Sequence, residues 1–227
     1  MSDFRFPDET RAFLAGIAAN NEKAWFDANR PLYDAGYVAA GRAFVNAIGP
    51  HLLEISPDVR FEPKINGSLS RINRDIRFSK DKRPYKTHLD AWFWHGEKRN
   101  WALPGFWFRL TATELMLGSG LYLFDKPMLE SFRQSVIHPR SGKALLAAVA
   151  EIEAAGNYVF GEKTRKQLPR GYASGDPARD AFLLYEGLNA GITLPTALAY
   201  EPGLVEPCLT HFRATWPIGK WMLAELD

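Results

Sequence analysis

The chain holds a single cysteine, Cys208, among 227 residues. No intrachain disulfide can form, and a chain of this length can bury a core without covalent staples. Cys208 follows Pro207 inside an apolar segment, the usual setting of a buried structural thiol. No run of about 18 apolar residues occurs, so no transmembrane helix is predicted. The N-terminal MSDFRFPDETRAF carries early charges and lacks an apolar core, unlike a signal peptide. A cytoplasmic location without a membrane partner is the expectation. Chemical fingerprints are also lacking. There is no G-x-S-x-G nucleophile elbow, no Walker A loop and no dinucleotide fingerprint. The histidines, His51, His88, His95, His138 and His211, have no zinc spacing. His88 and Asp90 alone would share a strand face, and H-x-D is a weak metal signal. No metal site or particular cofactor is assigned. Repeats, low-complexity tracts and long polar linkers are absent as well.

Basic charge, in contrast, is concentrated. The formal net charge is only +2, yet Lys64 to Arg99 holds ten bases and four acids, a local +6 against −4 elsewhere. The densest stretch is RINRDIRFSKDKRPYKTH, Arg71 to His88, with seven Lys or Arg and only Asp75 and Asp81 to oppose them. Arg71, Arg74, Arg77, Lys80, Arg83 and Lys86 recur at every third position, with Asn73, Ser79, Tyr85 and Thr87 between them. One basic patch on a mildly acidic body favours a local anion site over general adhesion to nucleic acid. Crowded like charges are unfavourable unless acids or a bound anion compensate them.

The 46% apolar content is ordinary for a globular chain. The first ~55 residues read as three helices. The first starts at Pro7–Asp8, the second is capped by Asn21 and carries Trp25 and Phe26, and the third runs from about Tyr37 to Leu53 after Pro31 and Gly36. From about Val59 to Leu123 the pattern turns to strand: VRFEPKI, HLDAWFWH, GFWFRLT and ELMLGS, the last two joined near Thr111–Thr113. Gly118-Ser119-Gly120 reads as a turn. Asp125 and Pro127 start a helix, with Phe124 and Leu129 as its staple. A helix ending at Gly156, a short strand NYVFGE, the loop LPRGYASGDP and a helix capped by Asp176 follow. The tail should give two helical pieces separated at Pro217. The prediction is an α+β fold, a single domain over residues 1–227, with a mainly antiparallel central sheet flanked by N- and C-terminal helices.

The basic stretch resembles the RI-x-RD-x-RFS-x-DK-x-PYKT signature of a bacterial and fungal family catalogued as domain of unknown function 2461. NNEKAWFDANRPLY, FWFRLTATELMLGSGLY and LPRGY are similar to further elements of that family. The resemblance covers nearly the whole chain. It implies one domain and locates candidate site residues, but implies no reaction, cofactor or substrate.

Three readings of the signature stand side by side. A phosphorylated or carboxylated small ligand would be held by Arg71, Arg74, Arg77, Lys80, Lys82 and Lys86, with Ser79 and Tyr85 adding hydrogen bonds. Arg77→Ala would then abolish binding. Nucleic acid would lie along an exposed basic groove, with steep salt dependence. A structural or interaction module would pair the charges internally, with Asp75 and Asp81 orienting arginines. An enzyme is left open, with Asp75, Asp81 or His88 as acid or base beside bound phosphate. Trp92, Trp94, Trp101 and Trp107, with Phe93, Phe106 and Phe108, either form the sheet core or lend a face to a planar ligand. Asn20 and Arg170 are outlying candidates for the same site.

Overall fold

In the computed structural model, which describes residues 3–99 and 102–226, helix α1 spans Asp8–Ala19 and begins where Pro7 and Asp8 predict. It buries Phe13, Leu14 and Ile17, whose spacing puts them on one face. Helix α2, Lys23–Ala28, follows the Asn20–Asn21 break, but its N-cap is Glu22 and no side chain caps it. Asn21 is instead bonded elsewhere, as described below. The third helix starts earlier than the sequence suggests. Short α3, Arg30–Tyr33, passes through a π-helical turn, Asp34–Ala39, into α4, Ala40–Ile55. Pro31 falls in the first turn of α3, where a missing N–H costs no hydrogen bond. Gly36 does not break the helix. A Cβ there would lie 2.4 Å from the Glu9 carbonyl oxygen, so glycine lets two helical segments touch through their backbones. Thr10 Oγ1 donates to the Gly36 carbonyl across this contact at 2.6 Å.

Residues of VRFEPKI make no regular strand, and Ile65 and Leu69 contribute only isolated bridges. The regular strands are β1 His88–Phe93, β2 Gly105–Thr111, β3 Glu114–Leu121, β4 Val159–Phe160 and β5 Leu188–Pro195. They form a five-stranded antiparallel sheet in the order β1-β2-β3-β5-β4, in the α+β arrangement expected. The β2–β3 turn is organised by Thr111, whose Oγ1 accepts from the N–H groups of Thr113 and Glu114 at 3.1 and 2.9 Å. Strand β5 was not anticipated, because LNAGITLP carries a Gly and ends in Pro. Gly118-Ser119-Gly120 is no turn but the buried second half of β3, which corrects the sequence reading.

Helix α5, Lys126–Ile137, is capped by Asp125, which accepts from the Met128 N–H at 3.0 Å. The Phe124 ring packs on Phe132, with centroids 4.8 Å apart. Helix α6, Pro139–Ala155, ends at Gly156 as predicted. Helix α7 is only Pro177–Asp180, capped by Asp176 and continued by a 3₁₀ turn over Ala181–Leu184. Helix α8, Val205–Glu225, runs unbroken through Pro217. Buried Trp216, Ile218, Trp221 and Met222 hold both sides of the proline in place, so packing overrides the local cost of the lost hydrogen bond. Cys208 on this helix is buried, as its apolar sequence setting predicts, and burial pushes its thiol upward.

Contacts group the chain into two compact units. One comprises Met1–Phe93, Trp107–Leu117 and Thr193–Leu209. Its core includes Phe6, Phe44 and Phe108, with Phe44 and Phe108 centroids 4.3 Å apart. The other comprises Trp94–Phe106, Gly118–Ile192 and Thr210–Asp227, where Phe106 packs on Trp216 and Phe212. The whole basic signature belongs to the first unit.

Candidate functional site

The signature is neither helix nor regular strand but an irregular hairpin. The Lys86 N–H donates to the Ile72 carbonyl at 2.8 Å, and the Arg74 N–H to the Pro84 carbonyl at 2.9 Å. Asn73 and Tyr85 form an antiparallel bridge between them. Upstream, Ser70 and Trp92 N–H groups bond the Asp90 and Ser68 carbonyls at 3.1 and 2.9 Å. Residues 68–70 therefore cover the edge of β1, the terminal strand of the sheet, and satisfy backbone groups that an open edge would expose.

Two supports from the N-terminal helices hold this hairpin. Asn21 Nδ2 donates to the Tyr85 carbonyl at 2.9 Å, and Asn21 Oδ1 accepts from the Tyr85 N–H at 3.0 Å. One side-chain amide thus pairs with the strand as a backbone would. The Tyr85 ring stacks on Phe26 at 4.5 Å. From the π-helical turn, the Tyr37 hydroxyl donates to the Ser70 carbonyl at 2.9 Å. Burial, and then the nearby Asp90 charge, push the Tyr37 phenol upward, so it stays a donor. Asn21→Ala removes both Tyr85 bonds and is expected to cost about 1–2 kcal/mol, read as a lower Tm.

Two D-x-R units shape the tip. Arg77 binds Asp75 through Nε at 3.0 Å and Nη2 at 2.6 Å. Arg83 binds Asp81 in the same way, with Nη2 at 2.8 Å. In each unit the arginine N–H also donates to the aspartate, at 3.2 and 3.0 Å. Asp81 further pairs with Arg74 Nη1 at 3.0 Å. Hydrogen bonds from Arg77 hold the Asp75 carboxyl below its ordinary range. Those from Arg83, assisted by the Arg74 charge, do so for Asp81. The acids orient arginines, as the sequence suggests.

Below the hairpin, β1 and β2 bring together a second group of charges. Asp90 accepts from Arg109 Nε at 2.7 Å and Nη2 at 3.2 Å. His88 Nε2 lies 3.1 Å from Asp90 Oδ2, and Lys86 Nζ lies 3.9 Å from it. Burial alone would raise the Asp90 carboxyl; hydrogen bonds from His88 and Arg109 outweigh it and hold the group down to about 2. Asp90 is therefore a carboxylate throughout the neutral range.

These elements enclose a cleft of about 550 Å³. Five cations line it, Arg71, Arg74, Arg83, Lys86 and Arg109, against three carboxylates, Asp75, Asp81 and Asp90. Asn73, Tyr85, Thr87 and His88 complete the wall. Of the eight ligand-binding residues expected from sequence, Arg71, Arg74, Tyr85 and Lys86 line the cleft. Arg77, Ser79, Lys80 and Lys82 do not. Arg77 is taken up by Asp75, Ser79 Oγ faces Arg74 Nη2 at 3.5 Å, and Lys82 Nζ donates to the Ile76 carbonyl at 3.0 Å. Lys80 is exposed on the tip. Phe78 is 96% exposed.

The aromatic cluster is mainly core. Trp92, Trp94, Phe93, Phe106 and Phe108 are buried and Trp107 is half-buried; none of them lines the cleft. Trp101 lies outside the described residues. Asn20 Nδ2 bonds the Gly16 carbonyl at 3.2 Å, and Arg170 is exposed; neither belongs to the cleft wall. Arg109 escaped sequence reading. The available signal was a lone charge at an alternating position of GFWFRLT, matched by Asp90 in HLDAWF, the pattern of a cross-strand ion pair. No cluster of three or more His, Cys, Asp or Glu side chains suited to a metal ion occurs among the described residues. No described helix is long and apolar enough to cross a membrane.

The fold and the cleft together define an α+β protein with a basic cleft at the edge of an antiparallel sheet. The chain belongs to the family described as "Conserved hypothetical protein (DUF2461)", which matches residues 9–221. No curated protein matches the chain.

Proposed function

We propose that the cleft binds a phosphorylated or carboxylated small molecule. The observation that carries this reading is the convergence of five cationic side chains on one concave site against three carboxylates. Asp81 serves both Arg83 and Arg74, and Asp90 is shared by Arg109 and His88. Arg71 lines the cleft with no ion pair within 4.0 Å among the described residues. A dianion would complete the balance, and guanidinium groups suit its oxygens.

Titration with inorganic phosphate and with short dicarboxylates, followed by calorimetry, tests this. Arg71→Ala is expected to weaken binding roughly 10-fold or more, the loss of one charge-assisted contact. Arg77→Ala is expected to weaken it less than Arg71→Ala, since Arg77 does not itself line the cleft and is engaged by Asp75. No binding by any small anion, at low or moderate salt, would leave the ion pairs as an internal structural network.

A second reading rests on Phe78. Its exposed ring, with the Arg77 guanidinium 5.9 Å from its centroid, suits stacking on a nucleobase. Nucleic acid is the partner if oligonucleotides bind more tightly than phosphate, with affinity falling steeply as salt rises and Phe78→Ala weakening them.

A further inference from the structure

The cleft holds a histidine whose free nitrogen is defined by its neighbours. Asp90 is mostly buried and fixed by two bonds from Arg109. As a carboxylate it only accepts hydrogen bonds. The 3.1 Å contact with His88 Nε2 must then be an Nε2–H donating to Asp90. In the neutral ring this leaves the lone pair on Nδ1. That nitrogen has no protein partner among the described residues, and the ring lines the cleft. Arg71, Lys86 and Arg109 line the same cleft. A held imidazole with an available lone pair therefore shares a wall with groups that stabilise phosphoryl oxygens, the pairing of nucleophile and electrostatic stabiliser required for group transfer.

We propose that His88 is a phosphoryl-accepting nucleophile, whose Nδ1 attacks the phosphorus of a small phosphorylated molecule held in the cleft. This rests on the anionic-ligand reading of the same site. In the first step the Nδ1 lone pair forms an N–P bond while the P–O bond to the leaving group breaks. The bonding pair departs with that oxygen, which takes a proton from water if it is basic enough to need one. The ring keeps its Nε2–H on Asp90, whose negative charge faces the cationic imidazole. In the second step a water oxygen bonds phosphorus and the N–P bond breaks. Its electron pair returns to Nδ1, and the proton released by water neutralises the hydroxide left from the first step or, where the leaving oxygen stayed anionic, passes to bulk water. The sum is ester plus water giving alcohol plus phosphate. Arg71 and Arg109 hold the transferred oxygens, and Asp90 is a positioning residue that fixes the tautomer.

The test uses the full chain with two donors of increasing leaving-group demand, each with an oxygen leaving group: acetyl phosphate and p-nitrophenyl phosphate. Samples are quenched in alkali and mapped by peptide mass spectrometry. The expected result is one added phosphoryl group on His88 that survives alkali and is lost in acid, as a phosphoramidate bond is. His88→Gln keeps a donor for Asp90 but lacks the nucleophile and is expected to give no adduct at that position. Mapping the wild-type adduct keeps the test decisive if that variant folds poorly. Inorganic phosphate binding to the wild type is measured in parallel. Phosphate binding without an adduct on His88 from either donor overturns this inference and leaves the ligand reading intact. An adduct on another residue, with His88 unmodified, also overturns it. Neither binding nor adduct removes both.

Discussion

Gly118→Ala is expected to lower stability by about 3 kcal/mol, and Tm by roughly 10 °C for a chain of this size. The cause is the close approach of β3 and β5. A Cβ on Gly118 would lie 2.0 Å from the Ala190 carbonyl oxygen and 2.6 Å from Gly191 Cα. Both obstacles are backbone, so no side chain can rotate away, and relief requires the strands to separate. The same crowding recurs at Gly120, where a Cβ would lie 2.3 Å from the Leu188 carbonyl oxygen and φ is +114°. Gly171→Ala is the contrast. Its φ is +85° but nothing lies within 4 Å of the added methyl, so only the left-handed backbone penalty of about 1 kcal/mol applies. Equal melting temperatures for Gly118→Ala and the wild type would show that β3 and β5 are not packed this closely.

Asp90→Ala is expected to destabilise the chain by about 2–3 kcal/mol, the scale of losing charged hydrogen bonds at a mostly buried position. It strands Arg109 and His88 together, both of which donate to Asp90. A pH-dependent signature separates this from simple cavity formation. The Asp90 carboxyl is held at about 2 in the folded chain, below its ordinary 3.8. A depressed carboxylate contributes stability above its unfolded value and loses it as pH falls through the folded value. Urea unfolding of the wild type and Asp90→Asn should therefore differ most above pH ~4 and converge toward pH ~2. A gap that stays constant across that window would mean that Asp90 contributes no ionisation-linked stability. The variant also frees the His88 tautomer, so any phosphoryl adduct on His88 should form more slowly in Asp90→Asn.

Arg71 and His88 show how differently the parts of the cleft can be inferred. Arg71 belongs to a run so rich in fixed cations that composition alone marks it. His88 is an ordinary strand residue until Asp90 and Arg109 are placed beside it on adjacent strands. Arg77 errs in the other direction. It stands in the middle of the periodic run, yet the short Asp75-x-Arg77 turn folds its guanidinium onto its own neighbour.

Local interactions made much of the chain legible. Caps at Asp125 and Asp176, the stop at Gly156 and the alternation in β1, β2 and β3 are short-range preferences, so they survive in one dimension. The α+β class follows from them. Tertiary structure decided the rest. Pro217 stays helical because buried residues on both sides of it hold α8 together. Gly118 and Gly120 are strand rather than turn because β5 lies against them, and β5 itself was hidden by its Gly and Pro. Asn21 left its helix cap for the Tyr85 backbone, 64 residues away. The sequence by itself placed the charge and most of the elements. Which cations share a cleft, and which nitrogen of His88 is left available, depended on pairings across strands, where separation along the chain carries no information about distance.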